Sequence, residues 1–151
     1  MSTQRYTDVV TELCHELSIP AVDHVLKTRA IVVEGFDVIL ENYDDDPDTM
    51  YVHFQYGIVT GGRTLTVFRL MLEANITIYA QDQAQMGVDE GTGGIILLAR
   101  VDLNDDIDGS WLADLLAHYS EHGRYWRDNI LQTTDEMFEQ LAQGSFLWIR
   151  A

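Results

Sequence analysis

The sequence predicts an α+β fold, a twisted antiparallel sheet of about five strands with helices packed on it, in the order α-βββ-α-ββ-α-α. Three observations predict it. Runs of strand character come in a group of three and a group of two, rather than singly between helices. Turn-forming clusters rich in Gly, Asp and Pro join the runs within each group. Stretches of helical period precede, separate and follow the two groups.

Tyr6 to Leu17 is the first helix, with Tyr6, Val9, Val10, Leu13 and Leu17 at helical spacing and Thr7 and Asp8 placed to cap its start. Ser18-Ile19-Pro20 ends it, because the residue before proline is pushed out of the helical region. Ala21 to Leu26 is a weak element or a connector. Ala30 to Val33 is a short β-branched run. Gly35 interrupts it, and Phe36 to Tyr43 resumes with Phe36, Val38 and Leu40 alternating against Asp37, Ile39 and Glu41. After the turn Asp44-Asp45-Asp46-Pro47-Asp48, Met50 to Ile58 alternates again, with Tyr51, His53 and Gln55 opposite Val52, Phe54 and Tyr56.

Thr64 to Asn75 is the most informative stretch. Thr64 can cap it, and Asn75 can close it in the left-handed conformation. Leu65, Phe68 and Leu72 line one face; Val67, Leu70, Met71 and Ala74 line another. The polar stripe is only Thr66, Arg69 and Glu73, the last two spaced to pair. An ordinary surface helix buries one face and wets the other. This one needs two burials, one on its own sheet and one elsewhere. Two arrangements supply the second: the same helix of another copy across a twofold axis, or full enclosure within one monomer.

Ile76 to Tyr79 and a polar link follow. Gln85 to Asp89 and Gly94 to Leu103 are strands joined by Glu90-Gly91-Thr92-Gly93. Ile95 to Ala99 is apolar on both faces, which marks a central or doubly covered strand. Asp108 caps a long helix from Gly109 to about Leu131, with Trp111, Leu112, Leu115, Leu116, Tyr119, His122, Trp126 and Ile130 as its apolar stripe. Thr133 or Thr134 starts a last amphipathic helix, and Gly144 ends it before the apolar tail Ser145-Phe-Leu-Trp-Ile-Arg.

With 151 residues, one domain is expected over 1–151, its core at about 6–131 and the last helix and tail at 132–151. A net charge of −16 disfavours nucleic acid and anionic membrane as partners. The lone Cys14 suits a reducing cytosol. Met-Ser-Thr-Gln-Arg-Tyr has no apolar core, so no secretory peptide is expected, and no apolar run is long enough to span a membrane.

Chemistry-bearing patterns have plainer explanations. His118-x-x-Glu121-His122 spells an inverted zinc-peptidase motif. A third ligand must come from elsewhere, and Leu115, Leu116 and Tyr119 put His122 on the core side of its helix. Asn104-x-Asp106-x-Asp108-Gly109 resembles half a calcium loop, but Leu115 stands where a bidentate Glu is needed, and Asp108 as a helix cap explains the same letters. Asp44-Asp45-Asp46 reads as a solvated turn. Gly61-Gly62-Arg63-Thr64 lacks the lysine of a phosphate loop. Cys14 and His15 are adjacent on a helix and point apart. No catalytic residue, metal or cofactor is predicted.

The element order and several stretches resemble the Tir-chaperone (CesT/SycE-like) family of type III secretion chaperones. The residues that carry the resemblance are Leu65 with Leu70-Met71-Leu72-Glu73-Ala74-Asn75, then Gly87-Val88-Asp89, Gly94 to Arg100, and the spaced Leu112, Leu115, Leu116 and Trp126. It runs from about Tyr6 to Ile130; the helix and tail after Leu131 depart from shorter members. The resemblance implies a non-catalytic homodimer of the bacterial cytoplasm. It would bind a non-globular segment near the N-terminus of a secreted effector and keep it competent for export, with the secretion ATPase as a further partner. The dimer seam would comprise Leu65, Val67, Phe68, Leu70, Met71 and Leu72. Effector grooves and an edge for strand addition would involve Val9, Leu13, Val32, Phe36, Val38, Leu40, Val52 and Phe54. Competing readings are a non-secretory adaptor or regulator of the same fold, and a small zinc hydrolase built on His118, Glu121 and His122.

Overall fold

The computed structural model describes residues 2–59 and 62–131. The predicted last helix and apolar tail lie outside the described residues. In chain order the elements are α1 (Ser2–Glu16), α2 (Val22–Thr28), β1 (Ala30–Val33), β2 (Phe36–Tyr43), β3 (Asp46–Ile58), α3 (Thr64–Asp82), β4 (Ala84–Val88), β5 (Gly94–Asp102) and α4 (Gly109–Trp126), which runs into a π-helical turn, Arg127–Leu131. The strands form one sheet in the order β1-β2-β3-β5-β4, with β1 and β4 at its ends. The predicted α+β class, five strands and antiparallel hairpins are present.

The chain divides into two compact units. The first comprises Met1–Phe54 and Arg100–Glu121. Val33-Glu34-Gly35-Phe36 closes the β1–β2 hairpin with both central residues at positive φ, 50° and 86°, the geometry that matches strand twist in a two-residue turn. One face of these strands is sealed: Val38, Leu40, Val52 and Phe54 are all 0% exposed. α1 lies on it through the Tyr6 hydroxyl, which donates to the Leu40 carbonyl at 2.6 Å. α4 lies on it through Tyr119, whose ring centre is 6.1 Å from that of Phe54. α1 and α4 approach so closely that a Cβ on Gly109 would stand 2.4 Å from the Glu12 carbonyl carbon. The Glu12 carboxylate accepts from the Gly109 N–H at 3.0 Å, and Arg5 donates to the Asn104 and Ile107 carbonyls.

The second unit comprises Gln55–Ala99 and the described part of His122–Ala151. α3 buries Val67, Leu70, Met71, Ala74 and Ile78. The Asn75 side chain accepts from the Met86 N–H at 2.6 Å and donates to the Met86 carbonyl at 3.1 Å. Buried Arg63 donates to the Ile130 carbonyl at 2.9 Å, holding the π turn.

Four expectations change. α1 starts at Ser2, so Thr7 and Asp8 are inside it; Asp8 accepts from Gln4 one turn earlier, and the Thr7 carbonyl accepts from Thr11. Residues 22–28 form a helix of their own, ended by Arg29 in the left-handed conformation. Thr64 is the first residue of α3, after Arg63, which makes no side-chain cap. Asn75 does not end α3: its bonds to β4 hold it inside a helix that continues through Ile76–Tyr79 to Asp82 and stops at left-handed Gln83. Asp108 does cap α4, accepting from the Trp111 N–H at 2.8 Å.

Candidate functional site

Among the described residues, each unit presents an open apolar surface. In the second unit, α3 presents Leu65, Leu72, Ile76 and Tyr79 at 84%, 71%, 77% and 64% exposure. Their spacing of seven, four and three residues puts them on one ridge. Arg69 and Glu73 flank it, paired at 3.5 Å. Of the six seam residues predicted, Leu65 and Leu72 stand on the ridge and Phe68 is half-buried beside it. Val67, Leu70 and Met71 pack inward. Ile76 and Tyr79 were missed because the helix was ended at Asn75.

In the first unit, a hollow of about 470 Å³ opens between α2 and the β1–β2 hairpin. Ile19, Ala21 and Val25 form one wall; Val32 and Ile39 form the other, with Asp37 at the same wall and His24 facing it from α2. Val32 is 65% exposed and Ile39 half-buried. Of the eight predicted effector-binding residues, Val32 is at this hollow with its side chain exposed. Val38 also lines it but has no exposed surface. Val9, Leu13, Phe36, Leu40, Val52 and Phe54 are interior, at 2% exposure or less. Alternation puts Phe36, Leu40, Val52 and Phe54 on one face of their strands, and that face is the one covered by α4 and by α1, which carries Val9 and Leu13. The open face was signalled by Ile39, an aliphatic residue between Asp37 and Glu41 on the polar side of its strand. His53, cross-strand from Ile39, is half-buried; burial lowers its pKa, opposed by the nearby Glu41 carboxylate.

β1 also ends the sheet. The Leu40 N–H donates to the Arg29 carbonyl at 2.8 Å. Opposed residues in an antiparallel pair alternate between bonded and non-bonded. With Ala30 opposite Ile39 and Val32 opposite Asp37, Ala30 and Val32 therefore turn their N–H and C=O groups away from β2. The Ala30 N–H meets the Thr28 hydroxyl at 3.4 Å. The Val32 groups face the open edge.

The other sequence patterns are absorbed by structure. His118 and Glu121 are exposed, and the His122 Nδ1 is 3.0 Å from the Tyr56 hydroxyl. Among the described residues no three His, Cys, Asp or Glu side chains gather to hold a metal ion. Asn104 turns its own loop, accepting from the Asp106 N–H. Asp46 of the acidic turn accepts from Tyr51 and Thr49. Cys14 is buried, which raises its thiol pKa, while His15 is exposed. No described helix is long and apolar enough to cross a membrane.

Comparison with known proteins gives one family and a set of similar folds. The profile of the Tir chaperone protein (CesT) family matches residues 30–127. A chain of the ExsC–ExsE complex superposes with a TM-score of 0.70 at 16% identity, covering 87% of this chain and 98% of that one. A chain from the complex of the Yersinia pestis type III secretion chaperone SycH with a stable fragment of YscM2 superposes with a TM-score of 0.54 at 16% identity, covering 78% of this chain and 96% of that one. No curated protein sequence matches.

Proposed function

The chain belongs to the Tir chaperone protein (CesT) family, and from that premise we propose that it is a non-catalytic type III secretion chaperone of the bacterial cytoplasm. It holds an extended segment near the N-terminus of a secreted effector and keeps that segment soluble for export. The observation that carries this reading is the hollow between α2 and the β1–β2 hairpin, opening beside a sheet edge with outward backbone groups. Strand addition to such an edge supplies main-chain bonds for affinity, and alternate side chains find the pocket. The protein partners crystallised with the similar folds, ExsE and the YscM2 fragment, support a protein ligand here. The ridge on α3 supports a homodimer, since four aligned apolar side chains are more than isolated surface residues explain. The strong negative charge keeps such a complex dispersed.

The test is capture of a secreted partner from the host bacterium, followed by co-expression with that partner, light scattering and limited proteolysis of the complex. The expected result is a dimer of this chain protecting one N-terminal segment of the partner. Val32→Pro removes the outward N–H without breaking a bond to β2, as edge positions permit, and should abolish the complex. A Val32→Pro chain that binds its partner undiminished would overturn the placement of the site, and export of that partner unaltered by loss of the chaperone would overturn the function.

A further inference from the structure

The hollow and the edge together constrain which segment fits. Ala30 and Val32 share a sheet face with Ile39 and Asp37, their cross-strand neighbours on β2. Ala30 is short, so beside it the hollow reaches down to Ile39 and across to Val25 of α2. Val32 is taller and stands between the open edge and Asp37. Asp37 is exposed, and no ion pair among the described residues involves it.

We infer that this site selects an extended segment with a bulky aliphatic side chain and, two residues away, a lysine or arginine, the first seated beside Ala30 over Ile39 and the second lying across Val32 to Asp37. The inference rests on the strand-addition reading above. In an added strand, residues two apart point to the same face, so the residues opposite Ala30 and Val32 both overhang the hollow side. Neighbouring strands are about 4.8 Å apart, which leaves Asp37 about 10 Å from the added strand. Only a long cationic side chain spans that gap, and its methylene stem covers the exposed Val32 on the way. A glutamate at the same place would face Asp37 inside the field of a chain with net charge −16. A short polar residue would leave Val32 uncovered and Asp37 without a counter-charge.

The probes are three fluorescein-labelled dodecapeptides of Gly, Ser and Thr with Ile-Thr-Lys, Ile-Thr-Glu or Ser-Thr-Lys at the centre. Binding to the full chain is followed by anisotropy at about 50 mM salt, with amide shifts at Val32 to locate the site. All three peptides are compared in one buffer at pH 8. The expected result is that Ile-Thr-Lys binds about tenfold tighter than either alternative. Asp37→Lys should reverse the Lys–Glu order, about 0.5 M salt should flatten it, and Val32→Pro should abolish all binding. If Val32→Pro abolishes binding but Asp37→Lys leaves the Lys–Glu ratio unchanged, the selectivity inference fails while strand addition stands. If the peptides bind Val32→Pro as they bind the unaltered chain, strand addition fails and the inference falls with it. Failure of all three peptides to bind the unaltered chain at millimolar concentration also overturns the selectivity inference, leaving the co-expressed partner to judge strand addition.

Discussion

Leu72 gives the sharpest test of the proposed seam. It is 71% exposed in the single chain, so truncation to alanine touches little of the monomer's own packing. Full burial of a leucine is worth about 1.5–3 kcal/mol, which leaves about 1–2 kcal/mol for a second copy to supply. Twofold symmetry places the residue in the seam twice, so Leu72→Ala should weaken the dimer by about 2–4 kcal/mol. At 1.4 kcal/mol per factor of ten, the dissociation constant should rise about 30- to 700-fold. Sedimentation velocity across a dilution series reads that shift directly. Urea unfolding at concentrations where the chain is monomeric should show an unchanged midpoint. Phe68 is a poorer probe because it is half-buried in its own monomer, and a charge there would damage both structures. Val67→Ala is the mirror control: at 0% exposure it should cost the monomer about 2 kcal/mol through lost burial and a residual cavity. A strictly monomeric chain at micromolar concentration, or a Leu72→Ala chain with unaltered dimer affinity, refutes the reasoning.

Three further outcomes follow from single contacts. Gly109→Ala should destabilise the fold by about 3 kcal/mol in urea, because the new Cβ meets α1 backbone, which cannot step aside as a flexible side-chain end would. Asn75→Ala should cost about 1–3 kcal/mol and speed hydrogen exchange at the Met86 amide, since both Met86 backbone groups lose their partner. Burial pushes the Tyr6 phenol up to about 12 from 10.0, with Arg29 opposing and Glu41 adding to it. Because the folded value lies above the unfolded one, the contribution is whole below pH 10 and drains away as pH rises towards 12. Tyr6→Phe should therefore lose about 1 kcal/mol at pH 8, for the bond to Leu40, yet show a shallower alkaline fall in urea midpoint. The fall should not vanish, because burial also raises Tyr125 to about 12.

Much of this architecture was legible in the letters, and the exceptions have causes. The strand groups were readable because Phe36 to Leu40 and Val52 to Tyr56 alternate cleanly, and one-sided burial enforces that alternation. The two faces of α3 were readable for the same reason at helical period. Asn75 misled because its side chain satisfies a turn and a distant backbone equally well, and only the fold reveals that β4 is the taker. Thr7 and Asp8 misled because capping residue types are tolerated inside a helix that begins earlier. The proposed binding surface was the least legible part. Periodicity separates two faces of a strand but does not say which one the helices cover, so the interior residues drew the functional assignment. α2, which makes the hollow's far wall, is seven residues long with a single buried side chain, too short for its period to stand out.

The two ends of the sheet are treated in opposite ways, and that contrast bears on function. At β4, the Asp89 N–H donates to the Gly94 carbonyl, and alternation from that pair turns the Met86 N–H and C=O outward. Asn75 answers both, so one side chain closes the middle of that edge. At β1 the corresponding outward groups belong to Ala30 and Val32. Thr28 answers one of them at the long distance of 3.4 Å, and among the described residues no strand lies beyond. Unpaired edges invite aggregation, and proteins cover them, charge them or shorten them. β1 is short, four residues, but carries an exposed valine at its centre and an apolar hollow at its side, neither of which discourages pairing. An edge closed by a dedicated side chain at one end, and left inviting at the other, is what selection for a strand-shaped ligand at β1 would produce. A Val32→Lys substitution, which puts an edge-guarding charge where the chain has none, should then leave folding intact and remove partner binding; a lysine there without effect on the complex would mean that this edge is open for some other reason.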